Sequence, residues 1–248
     1  MLMEPEAGNR YREPGTERLD SSVCGLRSAV YRYRPPAYAP PVPFVTFEGV
    51  EGSGKTTQLA LAAQRLRAAG RTVRTTREPG GTPVGERIRG VLLDAAHAEL
   101  DPMAEWLLVE AARRQHVRDV VRPAVADGAF LLCDRFSDST EAYQVAGRGL
   151  EAAMVADLDA RVRDGLEPDL TLLYDLDPRE GLTRTKGRDA SPGRFESAAL
   201  EFHERVRSGF LAAARREPKR IAVVPAEHGS EAVFALTWRI LSERFGLS

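Results

Sequence analysis

Residues Gly49-Val50-Glu51-Gly52-Ser53-Gly54-Lys55-Thr56 satisfy the pattern G-x-x-x-x-G-K-[ST] at every fixed position. These residue types at this spacing do one kind of chemistry well: they hold the oxygens of a polyphosphate. The glycines let backbone N–H groups turn inward, and a following helix adds positive potential at its N-terminus. Lys55 then reaches the β- and γ-phosphates, and the Thr56 hydroxyl holds Mg²⁺. Thr57 continues the loop into the helix. A chance glycine-rich turn would match the same letters, so the flanks decide. Phe44-Val45-Thr46-Phe47 reads as a buried strand, and residues 57–66 carry apolar side chains at helical spacing. The segment predicts a nucleoside triphosphate site but does not name the phosphate acceptor.

Three further clusters stand where such a site would need them. Arg77-Glu78-Pro79-Gly80-Gly81-Thr82 is a tight turn with an arginine at its mouth. It is either a plain turn or a fork for phosphate or carboxylate. Asp134-Arg135-Phe136-Ser137-Asp138-Ser139 follows an apolar run. An acid at a strand end beside a phosphate loop holds Mg²⁺ directly or through water, and the adjacent arginine clamps a second phosphate; the alternative is a helix cap. Residues 184–196 carry Arg184, Lys186, Arg188 and Arg194 among glycines and a proline. A basic lid of this kind excludes water and brings positive charge to a transferring phosphoryl group; the alternative is a solvated loop. On the helical segment around Glu105, Leu108, Arg113 and His116, the arginine alone reads as a solvated charge, and His116 lacks metal-spaced partners.

The elements that must position these residues follow from the hydrophobic pattern. Strand candidates are 44–47, 72–76, 129–133, 170–174 and 221–224. Helical patterns lie between them at 84–93, 102–126, near 141, at 151–163, from 178, at 195–215 and at 231–245. Five strands alternating with crossover-length helices predict an α/β fold: a P-loop NTPase-type, doubly wound, parallel sheet with a short lid at about 184–194. Ligands then sit at the C-terminal ends of the strands. Residues 1–42 mix Gly, Pro, Arg and Glu without periodicity and end in a proline cluster, which predicts a disordered extension before a domain covering 43–248.

Bulk composition agrees. The chain of 248 residues is 43% apolar and 29% charged, with 35 basic against 36 acidic residues, so no basic excess points to nucleic acid. No apolar stretch is long enough to span a bilayer, and the opening residues lack a signal-peptide pattern. The only cysteines are Cys24 and Cys133, a count that fits a reducing cytoplasm.

Together the motifs resemble the thymidylate kinase family. The likeness is carried by Phe47 through Gln58, by Thr76-Arg77-Glu78-Pro79-Gly80-Gly81-Thr82, by Cys133 through Gln144 and by Pro168-Asp169-Leu170-Thr171. It implies ATP-dependent phosphorylation of dTMP, with Mg²⁺ as cofactor, in a cytoplasmic homodimer. It also implies roles: Glu51 at the acceptor sugar, Arg77 and Arg135 at the acceptor phosphate, Arg113 at a thymine carbonyl, and Ser139, Tyr143 and Gln144 around the acceptor base and sugar. Gly52 is not basic, so the chain is similar to the subclass that draws its catalytic cation from the lid. That leaves Arg184, Lys186, Arg188 and Arg194 as unranked candidates beside Lys55 and Arg135. The chain departs from the family at Val109, where a phenylalanine usually stacks on the base, at Phe136, usually Tyr or His, and at Gly193-Arg194-Phe195-Glu196, usually Asp-Arg-Phe-Glu. Val109 keeps open a kinase for another deoxynucleoside monophosphate; a non-catalytic nucleotide-binding homologue is the other alternative.

Overall fold

The computed structural model describes residues 43–186, 194–195 and 198–247. The expected extension at 1–42 and most of the lid, including Arg188, lie outside them. Five strands form one sheet: β1 (Phe44–Glu48), β2 (Val73–Arg77), β3 (Phe130–Asp134), β4 (Leu170–Asp175) and β5 (Ile221–Pro225). Their order is β2-β3-β1-β4-β5 and every pairing is parallel. The chain leaves β1 toward β2 on one side and returns from β3 to β4 on the other. The switch point therefore falls beside β1, whose C-terminal end feeds the glycine loop.

Alternation along the strands builds the layers. Val45, Phe47, Phe130 and Leu132 join α1 (Lys55–Ala68) in the larger apolar cluster. Phe44, Leu131 and Cys133, one residue out of phase, pack with Val117, Val121 and Ala124. A strand buried on both faces reads as a continuous apolar run, which is why β1, β3 and β4 were plain in the sequence. β2 sits at the sheet edge and is half exposed.

The helical pattern at 102–126 is one run: α3 (Pro102–His116), a π-helical stretch at Val117–Val121, and α4 (Arg122–Ala126). Asp101 caps it by accepting from Met103 and Ala104 N–H, with Pro102 at the first helical position. α2 (Pro83–Leu93) starts the same way on Thr82, and α7 (Pro178–Thr185) on Asp177. α1 starts differently: Gly54 stands at its N-cap and no side chain caps it. Its first N–H groups are left for an anion. α5 (Ser137–Thr140) runs on through a π-helical stretch at Glu141–Gly147; α6 spans Ala152–Arg163 and α9 Ser230–Phe245. The pattern at 195–215 begins later than its periodicity suggests, as α8 (Leu200–Arg216): Arg194 turns to Leu92 O and Glu105, and Phe195 stacks on Phe202 of α8.

Two glycines set how α7 meets the phosphate loop. A Cβ on Gly52, which has φ +72°, would lie 2.1 Å from the Gly181 carbonyl oxygen; a Cβ on Gly181 would lie 2.2 Å from that of Glu51. The two backbones touch, and α7 carries the lid at its C-terminal end. Gly181→Ala should push α7 off the loop at a cost of about 1–3 kcal/mol. Thermal unfolding should show a lowered Tm, with weakened ATP binding by calorimetry; an unchanged Tm would contradict this packing.

Candidate active site

Three strand ends converge. In register, Phe47 pairs with Asp134 and Asp134 with Arg77, so the ends of β1, β3 and β2 stand side by side. Above them opens a cavity of about 250 Å³. Its lining includes Glu51, Gly52, Lys55 and Thr56 from the loop, Arg77 from β2, and Arg89 from α2. Val109 and Arg113 come from α3; Asp134, Arg135, Ser139, Tyr143 and Gln144 come from β3 and the helix after it. Every expected acceptor residue is thus brought to one cavity.

Arg135 is the junction. Its backbone turns through φ +72°, with its N–H on Phe47 O at 3.0 Å. That left-handed turn is unusual for a long side chain and costs on the order of 1–3 kcal/mol. It swings the guanidinium into the cavity floor, where it donates to Ser139 Oγ (3.1 Å), Glu51 Oε1 (3.2 Å) and the Tyr143 hydroxyl (3.0 Å) and lies 4.9 Å over the Tyr143 ring. Tyr143 in turn donates to Glu51 Oε1 at 2.5 Å. Burial alone would raise the Glu51 carboxyl. The close approach of His203 and the charges of Arg135 and Lys55 outweigh it and hold Glu51 well below the usual carboxylate range. His203 Nδ1, from α8, lies 3.2 Å from Glu51 Oε2. Glu51 is therefore a fixed carboxylate at the cavity wall, which suits it to accept from a hydroxyl.

The phosphate end is built from the loop. Gly49, Gly52 and Gly54 take φ values of 141°, 72° and 85°, positions that favour glycine. Ser53 N–H bonds Val50 O at 3.3 Å, and Thr57 lies exposed on the first turn of α1. Lys55 Nζ folds back onto Val50 O at 3.3 Å. Burial, then the charge of Arg135, lowers Lys55 to about 8. Its own loop carbonyl is a weak partner, and a phosphate oxygen would be a stronger one. Thr56 Oγ1 donates to Asp134 Oδ2 at 2.5 Å. Two hard oxygens at the mouth of a phosphate loop fit Mg²⁺, which takes one or two protein ligands beside phosphate oxygens and waters. Arg77 pairs with Glu86 Oε2 at 2.8 Å. Arg89 of α2, bound to Pro79 O of the same turn at 3.0 Å, adds a second guanidinium.

The opposite end of the cavity is tightly held. Arg113 is fully buried. Nε donates to Glu78 (2.8 Å), Nη1 to Glu110 (2.6 Å) and Asp159 (3.0 Å), and Nη2 to Phe136 O (3.2 Å). Four of its five N–H groups are so used, and the fifth, on Nη2, has no protein partner among the described residues. It is a structural hub first, in contrast to the solvated charge its helical context alone predicts. His116 completes the hub on Glu78 Oε1 (2.8 Å) and Thr76 Oγ1 (2.6 Å).

The expected lid cations part company. Arg194 is not available to a transferring phosphoryl group: its guanidinium is buried on Leu92 O (2.9 Å) and on Glu105, so it anchors the chain instead. Arg184 is held at the C-terminal end of α7 by Glu180 (2.5 Å) and Ala226 O (3.0 Å). Lys186 is exposed, one residue after Thr185, which lines the cavity.

The family model described as Thymidylate kinase matches residues 47–236. The chain belongs to the thymidylate kinase family. It is 52% identical over 201 residues to a thymidylate kinase of Deinococcus radiodurans, covering 81% of this chain and 97% of that protein. A thymidylate kinase of Magnetococcus marinus is 48% identical over 205 residues, covering 83% and 98%. The crystal structure of thymidylate kinase from Ehrlichia chaffeensis superposes with a TM-score of 0.67 at 33% identity, over 82% of this chain and 99% of that one. Among the described residues no helix is long and apolar enough to cross a membrane.

Three residues of the enzyme's site escape sequence reasoning. Arg89 shares the inner face of α2 with Gly85 and Leu92. His203 lies in the apolar stripe of α8 with Phe202, Val206 and Phe210, and a histidine in such a stripe was its only signal. Glu48 reads as the last residue of a strand. It is completely buried, accepting from Phe136 N–H (2.7 Å) and the Ser139 hydroxyl (2.6 Å). Burial, then the neighbouring Asp138, pushes Glu48 up from 4.5 to about 8. Between those values the folded protein keeps a proton that the unfolded chain has released, so this group's contribution to stability falls as pH rises toward 8. Glu48→Gln mimics the protonated form. Its Tm relative to the parent should rise from pH 5 to pH 8; a constant difference would refute a neutral Glu48.

Proposed function

We propose a division of labour for the family's reaction, transfer of the γ-phosphoryl group of ATP to dTMP, giving dTDP and ADP. The observation that carries it is the junction at Arg135. One guanidinium touches Glu51, Ser139 and Tyr143 in a cavity that also contains Lys55 and Thr56, so donor loop and acceptor pocket share one wall.

The uncapped N-terminus of α1 and Lys55 bind the ATP phosphates. Arg77, Arg89 and Arg135 bind the acceptor monophosphate and neutralise it, which lets two anions approach. Glu51 accepts from the acceptor sugar hydroxyl and so orients the nucleotide. The acceptor phosphate oxygen is already ionised, so positioning and charge neutralisation supply most of the rate and no strong general base is needed. Thr56 and Asp134 are the residues that would hold Mg²⁺, which offsets charge on the triphosphate when bound. Among the described lid residues, Lys186 is the cation we assign to the transferring group. Arg184 is a support, and Arg194 an anchor.

Two further features belong to this reading. Val84 and Val91 on α2 and Leu107 on α3 are large apolar side chains left exposed on two helices that pack together. They support a homodimer through that face. Cys133 is a buried free thiol and supports a reducing, cytoplasmic setting.

Lys55→Ala should lower kcat by about 100-fold or more, measured by coupled ADP release with ATP, Mg²⁺ and dTMP. Lys186→Ala should lower kcat about 10-fold with little change in KM for dTMP; Arg194→Lys should act mainly on Tm. Equal turnover of dTMP, dCMP and dGMP by the parent enzyme would overturn the acceptor assignment. A full-rate Lys55→Ala enzyme would overturn the donor assignment.

A further inference from the structure

Glu105, in the first turn of α3, is completely buried and does not itself line the cavity. Its carboxylate is filled by donors. Oε1 accepts from Gln144 Nε2 at 2.8 Å and Arg148 Nε at 3.4 Å; Oε2 accepts from Arg148 Nη2 at 3.0 Å and from Arg194 Nη2. A carboxylate between two guanidinium groups only accepts. The Gln144 side chain, also buried, must then turn its NH₂ to Glu105. Its carbonyl oxygen is left on the opposite side of the amide, and Gln144 lines the cavity.

We propose that Glu105 fixes the hydrogen-bond polarity of the acceptor-base site by locking the Gln144 amide, and is thereby a specificity-determining residue. The reasoning rests on the reading that Gln144 faces the base. With the amide locked, the cavity that both residues line offers an acceptor, Gln144 Oε1, and a donor, the remaining N–H of Arg113 Nη2. A thymine or uracil edge matches that pair, with N3–H as donor and O4 as acceptor. Cytosine opposes it at both atoms, with an N3 acceptor and an N4 amino donor. A site that leaves buried polar groups opposed discriminates far more strongly than an apolar one. Were Gln144 free to flip, the acceptor would become a donor and much of the discrimination would go. Arg194 adds a consequence for the lid: the last residue of that segment also helps to keep Glu105 acceptor-only.

The test is the ratio of kcat/KM for dTMP to that for dCMP, at saturating ATP and Mg²⁺. Glu105→Gln gives position 105 both a donor and an acceptor, so Gln144 can adopt either orientation. The ratio should fall by about 10-fold or more, through a higher KM for dTMP and a lower one for dCMP, while kcat for dTMP stays within about 3-fold. Should that variant fail to fold, Arg148→Met loosens the same lock at its more exposed partner, and the ratio should fall at least about 3-fold. Gln144→Met separates the two layers of the argument. It removes the amide but keeps Glu105 and its arginines, and should itself collapse the ratio. A collapsed ratio in Gln144→Met with an unchanged one in folded Glu105→Gln or Arg148→Met would overturn the lock. An unchanged ratio in Gln144→Met would overturn the placement of Gln144 at the base, and the lock with it.

Discussion

Arg135 carries a positive charge into the floor of the cavity, and the surrounding structure is organised to compensate that charge without spending it. Desolvating a guanidinium is costly unless carboxylates and hydroxyls meet it. Here Glu51, Ser139 and Tyr143 do so. The charges are shared unequally among the acids nearby. Glu51, with His203, Arg135 and Lys55 against it, is held ionised, whereas Glu48, deeper in the sheet and beside Asp138, keeps its proton. Two carboxyl groups three residues apart thus have opposite states. One is a charged wall of the cavity and the other a neutral strut under Ser139.

The same logic governs the second buried guanidinium. Arg113 is ringed by Glu78, Glu110 and Asp159, and those acids come from the turn after β2, from α3 itself and from α6. The hub therefore joins three separate elements. Glu78 also holds His116. The Arg-Glu-Pro-Gly-Gly turn so has two tasks: Arg77 faces the cavity, while its neighbour Glu78 points back and secures α3. A substitution at Glu78 would strand Arg113 and His116 together.

Much of this was legible in the sequence. β1, β3 and β4 stand out because strands buried on both faces are apolar throughout, and the glycine loop was fixed by the strand and helix beside it. The loop, Arg77, Asp134, Arg135 and the Ser139–Gln144 segment all reach the cavity. What could not be read is which charges turn inward. Arg113 looks like any helical arginine until Glu78 and Asp159 arrive from distant segments to join Glu110 of its own helix. Arg194 looks like a lid cation because sequence shows its basic neighbours and not Glu105, 89 residues away. Glu48 and His203 are hidden for the opposite reason: each sits in an apolar stripe where periodicity reports burial and is silent on chemistry.

The contact between Gly52 and Gly181 has one more consequence. A methyl group on Gly52 would need the room of the Gly181 backbone and one on Gly181 that of the Glu51 carbonyl just before Gly52, so the two positions form a single steric unit although 129 residues separate them. A lysine or arginine at position 52 is barred here by the backbone of α7 rather than by any want of a cation. A lineage could move the charge into the loop only by first drawing that helix back, and the helix is the root of the lid. The close seating of α7 and the absence of a long side chain at position 52 are therefore one constraint, not two.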